Sequence, residues 1–397
     1  MSQIPELLGS LIAESSLLVG QSQTQEAVDT LRSHFETFQS HPVYLQGLGE
    51  ALLENGDLEQ AYEILTQACK LDPKASQGVE KFLYLGQIVG GKEGVELLEV
   101  GVHKLLGQLK SLDEGQSEEL RDESDQLLFV AYGTAFGVRR YLLKKLAQGI
   151  FSIIEIWMTD LCDEDNSEDE CEKWIQKALS LDQENPESWS LLASIRISQC
   201  RNNEAVESIA KSWGLFEKKK AFLEDLSNSK ELADDTEMDP TEAQMEYIEL
   251  VDPILTLAKY AMEVGLFDEA SVIASSVQDI NEQSLEGYYL EGFAYYLNAK
   301  RIQNGLSHDD GYLVSRDFKK YPLATEVSEQ DESYQLLKNA RRALTNGFKL
   351  LQIDSVAEDA DKDLKHTVHE LLKELGGPLL KEKDESGVDE SNWESQI

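Results

Sequence analysis

The chain has 397 residues and carries 75 Asp and Glu against 36 Lys and Arg, a net charge of −39. A surface of that sign repels nucleic acid and anionic membrane and attracts basic proteins or basic tails, and no apolar run approaches the ~18 residues that a membrane span needs. The four cysteines, Cys69, Cys162, Cys171 and Cys200, show no Cys-x-x-Cys spacing, so neither a zinc site nor a disulfide framework is suggested and a reducing compartment is expected.

The N-terminal stretch MSQIPELLGSLIAESSLLVG has no basic segment ahead of its apolar residues and holds Glu6 and Glu14 among them. It reads as an amphipathic helix rather than a signal peptide, in a soluble intracellular protein. Residues 5–39 form a degenerate helical hairpin, with Ala27 placed 34 residues ahead of Ala61 and Pro5 suited to a helix start. Pro42–Ala75 then carries the 34-residue tetratricopeptide (TPR) pattern W-x2-L-G-x2-Y…A-x3-F…P. Leu48-Gly49 take the Leu-Gly positions, Gly56 the turn, Ala61, Leu65 and Ala68 the second-helix seam, and Pro73 the closing position. Small residues at those positions let one helix lie against the next, which specifies stacked helix pairs rather than one closed core.

Val79–Leu106 continues the array with Phe82, Leu85-Gly86 and Val89 on its first helix, and with either Val95 or Leu98 at the second-helix Ala position. An acidic insertion near 111–125 follows, and then Leu127–Leu161, a span too long for one TPR helix and expected to break near Gly137 or Gly149. A second acidic insertion near 163–170 widens a turn ahead of the helix Cys171–Leu181. The second clear repeat is Pro186–Lys219, with Trp189, Leu192, Ala193, Ala205, Ile209 and Ser212 at the template positions. A polar insertion near 224–239 leads to a repeat marked by Leu257-Ala258, Gly265 and Ala270, then to LEGYYLEGFAYYL, with Tyr288, Gly292 and Tyr295 at the Trp, Gly and Tyr positions. Its partner helix, YQLLKNARRALTNGFKLLQ, arrives after a loop near 299–331. Ser355–Leu375 reads as a polar-faced capping helix, and residues 377–397 as a disordered acidic tail. The expected fold is therefore all-α: a right-handed TPR-type solenoid over residues 1–376, with acidic insertions and a C-terminal capping helix.

No catalytic pattern emerges, and no cofactor or metal is expected. His366 and His369 in HTVHE match neither zincin order and read as surface histidines. The glycines of QIVGGKEGVE lie between helices and mark a turn, and Lys218-Lys219-Lys220 reads as the complement to a helix C-terminus. In a TPR array the first helices line the inner groove. Template spacing places Gln46, Glu50 and Glu54 there, followed by Glu155 and Asp160, Glu187, Asp252 and Glu263, and finally Glu286, Tyr289, Phe293 and Tyr296. The groove is expected to be acidic with an aromatic patch, the carboxylates orienting a basic ligand and the aromatics supplying binding energy. Glu50, Ser194 and Glu286 stand where arrays that clamp a C-terminal carboxylate present Lys, Arg or Asn, so an acidic peptide end would be repelled.

The strings IIEIWMTDL and LLASIRISQ are more specific than a generic TPR match, and KFLYLGQIVGGKEGVELLEVGV and LEGYYLEGFAYYL support them. In these the chain resembles the dedicated TPR assembly chaperones of ribosomal protein L-four of the eukaryotic large subunit. The resemblance implies a monomer that captures the long internal loop of that basic client 1:1, shields it, enters the nucleus from the cytoplasm with it and releases it on pre-ribosomes, with no direct nucleic-acid or membrane contact. The alternative is a TPR scaffold subunit or a histone-type acidic chaperone for another basic protein.

Overall fold

Three of the helix hairpins in this protein close by seating a leucine on a glycine. The computed structural model describes residues 3–115, 123–228 and 238–379. All regular secondary structure among them is helical, and the chain divides into two compact units, Met1–Gln183 and Glu184–Ile397. In the first unit α1 (Gln3–Gly20) and α2 (Thr24–Arg32) form the first hairpin, followed by the short α3 (Phe35–Phe38), and α4 (Pro42–Glu54) and α5 (Leu58–Leu71) form the second. Pro42 opens α4 at a position whose N–H would be unsatisfied anyway. A Cβ on Gly49 would lie 2.5 Å from Leu65 Cδ2, so the two helices close only because position 49 is glycine.

The next hairpin, α6 (Glu80–Val89) and α7 (Gly91–Asp113), repeats the device in a shorter turn. Gly86 faces Leu98 and the backbone of Gly94, and a Cβ on Gly94 would stand 2.4 Å from the Gly86 carbonyl. Gly94 thus holds the small position expected of Val95 or Leu98. The span from Gly86 to Leu98 is four residues shorter than that from Gly49 to Leu65, which shifts the register. The expected break between 127 and 161 falls at neither Gly137 nor Gly149. It lies between α8 (Glu123–Tyr132) and α9 (Ala135–Met158), where Gly133 adopts φ 70° and the Thr134 side chain caps α9 by accepting from Gly137 N–H at 3.0 Å. The turn after α9 leads to α10 (Ser167–Leu181), so the helix starts inside the expected insertion.

The second unit opens with α11 (Pro186–Ser198) and α12 (Asn202–Asn228). Asn185 caps α11 from Glu187 N–H at 2.9 Å and Ser188 N–H at 3.3 Å, while Ser212 on α12 donates 2.8 Å to the Pro186 carbonyl. Buried Phe216, Leu223 and Leu226 prolong the apolar stripe, so α12 runs past Lys218-Lys219-Lys220. Those lysines therefore stand inside the helix and not at its end. Lys220 donates 2.9 Å to the Ser276 carbonyl and pairs with Asp279 at 2.5 Å. After α13 (Pro240–Glu249) come α14 (Val251–Glu263) and α15 (Phe267–Ser276).

α16 (Leu285–Gln303) pairs with α18 (Tyr334–Leu350), and Gly292 receives Leu344 as Gly49 receives Leu65. The expected loop between them starts only after Gln303 and contains α17 (Gly311–Arg316) and a 3-10 turn at Phe318–Lys320. The expected single capping helix is two, α19 (Asp354–Asp359) and α20 (Lys362–Glu374). They are separated because Asp361 caps α20, accepting from the N–H of Asp363 and Leu364, both at 2.9 Å. Arg341 donates to the Gly376 and Gly377 carbonyls and Leu379 N–H to Thr345, which ties down the start of the expected tail. Residues 380–397, most of that tail, lie outside the described residues, as do 116–122 and 229–237 of the expected insertions.

Candidate functional site

In the first unit, the first helices α4, α6 and α9 bring carboxylates and tyrosines together. Tyr84 on α6 donates 3.1 Å to Glu50 on α4, and Gln46 on α4 donates 3.1 Å to Glu80 on α6. Tyr141 on α9 donates to the other oxygen of Glu80. Its ring stacks on Tyr132 with centroids 4.5 Å apart, and Lys145 lies 6.0 Å from its centroid. Partial desolvation holds the Glu50 carboxyl above its ordinary range, opposed by the Tyr84 hydroxyl and reinforced by Glu80 and Glu54. Burial, with the charges of Glu50 and Glu80, pushes the Tyr84 hydroxyl far up, and burial with Glu80 does the same to Tyr141. The arrangement presents carboxylates beside aromatic faces, and a guanidinium or ammonium favours both.

Sequence spacing did not bring Glu80, Tyr84 or Tyr141 forward. For the first two the signal was available, since Glu80 follows Gln46 and Tyr84 follows Glu50 by 34 residues. Tyr141 had no such marker, because the turn preceding α9 obscures its register. Glu54 and Glu155 are exposed. Asp160, expected on the binding face, is exposed and already engaged. Its carboxylate accepts from Gly91 N–H at 2.9 Å, capping α7 across 69 residues of chain, because a helix N-terminus attracts an acceptor.

In the second unit Asp252 and Glu263 on α14 are exposed, and Glu187 is half-buried at the start of α11. Glu286 on α16 pairs with Lys259 on α14 at 2.7 Å, so this part of the face carries a cation of its own. The aromatics form a ladder along α16: Tyr289 stacks on Phe293 at 5.5 Å, and Phe293 on Tyr296 at 6.0 Å. Tyr289 and Phe293 are half-buried. Tyr296 is 1% exposed, which corrects its expected place on an open face. Its hydroxyl donates to both carboxylate oxygens of Glu374 on α20, at 2.9 and 2.8 Å, and Phe318 packs edge-on against it at 6.2 Å. His366 is exposed, whereas His369 is half-buried. Among the described residues no group of three or more His, Cys, Asp or Glu is placed to hold a metal, and no helix is long and apolar enough to cross a membrane.

Residues 43–75 match the tetratricopeptide repeat family model, and residues 283–389, spanning α16 to α20, match the ACL4 C-terminal domain. A Schizosaccharomyces pombe protein described as a probable assembly chaperone of rpl4 is 26% identical over 351 residues, covering 88% of this chain and 84% of its own. An Emericella nidulans protein of the same description is 25% identical over 399 residues, covering 97% and 86%. The chain is a homologue of the rpl4 assembly chaperones. The solved structure described as assembly chaperone of RpL4 (Acl4), residues 1-338, agrees with this. It is 25% identical, superposes with a TM-score of 0.52, and covers 75% of this chain and 98% of that one. This chain thus carries a TPR repeat and shares its fold with the Acl4 structure.

Proposed function

We propose that this chain is a dedicated assembly chaperone that binds newly made ribosomal protein L-four, shields it, and delivers it for large-subunit assembly in the nucleus. The observation that carries the reading is similarity to probable rpl4 chaperones along 97% of the chain. The net charge of −39 and the tyrosine–glutamate cluster on α4, α6 and α9 support it physically. A ribosomal protein segment destined for RNA is basic and partly apolar, and a carboxylate face with aromatic rings substitutes for RNA by charge and by stacking. Glu50, Glu54, Glu155, Asp252 and Glu263 steer the client, with Glu187 and the paired Glu286 at the edges of the same faces, and Tyr289 and Phe293 supply apolar contact. Ribosomal RNA, with its denser charge, outcompetes these faces at release, so no nucleotide hydrolysis is required. The complex is one chaperone to one client, formed in the cytoplasm and carried into the nucleus.

The test is purification of the tagged chain from its own cells with mass-spectrometric identification of co-purifying proteins. Ribosomal protein L-four at equal stoichiometry is the expected result. A histone or another basic protein in its place would assign the chain to the histone-type or scaffold class, and an acidic partner would remove the electrostatic basis altogether.

A further inference from the structure

The aromatic ladder of α16 is not open. The segment between α16 and α18 folds back over it, and the chemistry of that segment is the reverse of the chain's. Residues 311–321, GYLVSRDFKKY, carry Arg316, Lys319 and Lys320 against Asp317 alone, in a chain whose net charge is −39. All three cations are exposed. Phe318 points inward and packs edge-on against Phe293 at 5.4 Å and Tyr296 at 6.2 Å.

How the segment is held distinguishes two parts. Its beginning is built into the unit: Val314 is fully buried, and Gly311 lies against Gly265 so closely that a Cβ on either would clash with the other's backbone. Its continuation packs Phe318, Tyr321 and Leu323 partly buried against the core, and the side-chain hydrogen bonds it receives from α16 and Asn304 go to its main chain. Lys300 donates to the Phe318 carbonyl at 3.1 Å and the Tyr321 carbonyl at 3.0 Å, and Asn304 to the Pro322 carbonyl at 3.0 Å. Gln303 exchanges two bonds with the backbone of Ala324, at 2.9 and 2.8 Å. Donors and acceptors aimed at main-chain groups accept any extended peptide, and the ring that this stretch lays against the ladder is Phe318. The rings beneath Phe318, those of Phe293 and Tyr296, occupy positions that the TPR template turns toward a ligand, and Tyr289 continues the stack beyond them.

We propose that residues 317–324 are a strap that stands in for a client segment on the α16 ladder, hinged on the anchored Gly311–Val314, and that a client segment combining an aromatic residue with cations displaces it. This rests on the proposed role as a chaperone of a basic protein. Binding in this scheme is an exchange: Phe318 and its flanking lysines leave, and a ring and cations of the client take over the ladder and the main-chain latch of Lys300, Gln303 and Asn304.

Trypsin cleavage after Lys319 and Lys320, followed by mass spectrometry, reads the strap directly. In the free wild-type protein these bonds should be protected, and addition of purified ribosomal protein L-four should expose them. Phe318→Ala should be cut without client. If the strap is closed nine-tenths of the time, that variant should also bind ribosomal protein L-four about tenfold more tightly, because competition has been removed. A synthetic peptide of residues 311–324 should compete with the client for the variant. A wild-type protein that binds ribosomal protein L-four while Lys319 and Lys320 stay protected would overturn the strap and leave the chaperone reading standing. So would a folded Phe318→Ala protein that binds no more tightly. A wild-type protein that does not bind ribosomal protein L-four at all overturns the chaperone reading, and the strap proposal with it. The wild-type comparison needs no variant, so it decides even where Phe318→Ala compromises folding.

Discussion

Tyr84 donates its hydroxyl to Glu50 across 3.1 Å, and the two residues stand 34 positions apart. Gln46 and Glu80, also 34 apart, are joined in the same way. The repeat period therefore places like positions of successive first helices within hydrogen-bonding distance, and it builds a ladder of side chains across α4 and α6. Glu50→Gln tests what this ladder is for. The folded-state pKa of Glu50 lies above its unfolded value, so its contribution is favourable below the ordinary carboxylate pKa and lost as pH rises through the folded pKa. At neutral pH the amide should therefore leave stability unchanged or slightly raised, within about 1 kcal/mol for so accessible a group. Binding of ribosomal protein L-four should weaken, as measured by titration calorimetry beside thermal melts.

The aromatic ladder should separate into two behaviours. Tyr289→Ala should fold normally and weaken client binding, since Tyr289 is half-buried at the end of the stack. Tyr296→Ala should instead cost about 3–5 kcal/mol of stability, as expected for emptying a buried aromatic site. Tyr296→Phe, which removes only the donor to Glu374, should cost about 1.5–3 kcal/mol. Urea denaturation of all three variants gives the comparison. Equal effects of Tyr289→Ala and Tyr296→Ala on folding would dissolve the distinction.

Buried tyrosines also set an alkaline limit. Burial pushes the Tyr44 hydroxyl from 10.0 up to about 12, and Tyr84, Tyr141 and Tyr296 are pushed further. A raised folded pKa contributes stability that is whole below the unfolded pKa of 10.0 and disappears as pH rises through the folded one near 12. Phenolate absorbance should show an early class of exposed tyrosines and a late class that titrates together with loss of helical circular dichroism. Independent ionisation of all tyrosines near their ordinary pKa, with the fold intact, would contradict this.

Lys81 is 0% exposed and pairs with Asp72 at 2.9 Å, while donating to the carbonyls of Gln77 and Gly78. Burial alone would raise the Asp72 carboxyl, but Lys81 and the N–H groups of Gln77 and Ser76 hold it below its ordinary 3.8. The stability it gives is present above that value and lost as pH falls through the lower folded pKa. Asp72→Asn should cost about 3–5 kcal/mol at neutral pH by stranding the ammonium. The double variant Asp72→Leu with Lys81→Met should recover much of that loss in chemical denaturation.

Charge reversal probes the binding faces together. Glu54→Lys, Glu155→Lys and Glu263→Lys combined should abolish client capture at physiological salt, although each exposed pair is worth only about 0.2–1 kcal/mol. Three reversals at Asp384, Glu385 and Glu390 should matter far less, because none of these residues belongs to the first helices α4, α9 or α14. Calorimetry at low and high salt would expose the opposite ranking, which is incompatible with binding on the first-helix faces.

Much of this organisation was legible because the TPR seam is local. Ala61, Leu65 and Ala68 are fully buried where the template places them, as are Ala193, Ala205 and Ser212. Failures arose where a distant segment decides a residue's surroundings. Asp160 caps a helix 69 positions back, and Tyr296 meets Glu374 78 positions on, so no spacing rule signals either. The Gly94 register was hidden for another reason, since the span from first-helix glycine to second-helix leucine is four residues shorter here, which moves the small residue out of the template. The acidic insertions were visible as composition, but composition does not say where a helix stops, and α10 begins inside one of them.

The leucine-on-glycine seat recurs with its two members 16, 12 and 52 residues apart, at Gly49–Leu65, Gly86–Leu98 and Gly292–Leu344. Closing a flexible connection costs only as the logarithm of its length, so growth from 12 to 52 residues adds about 1.3 kcal/mol. A hairpin held by such a seat can therefore receive a foreign segment in its turn without re-registering its helices. The turns of this fold are ports through which evolution, or a protein engineer, can fit a reporter domain or an additional recognition element while the stack stays in place.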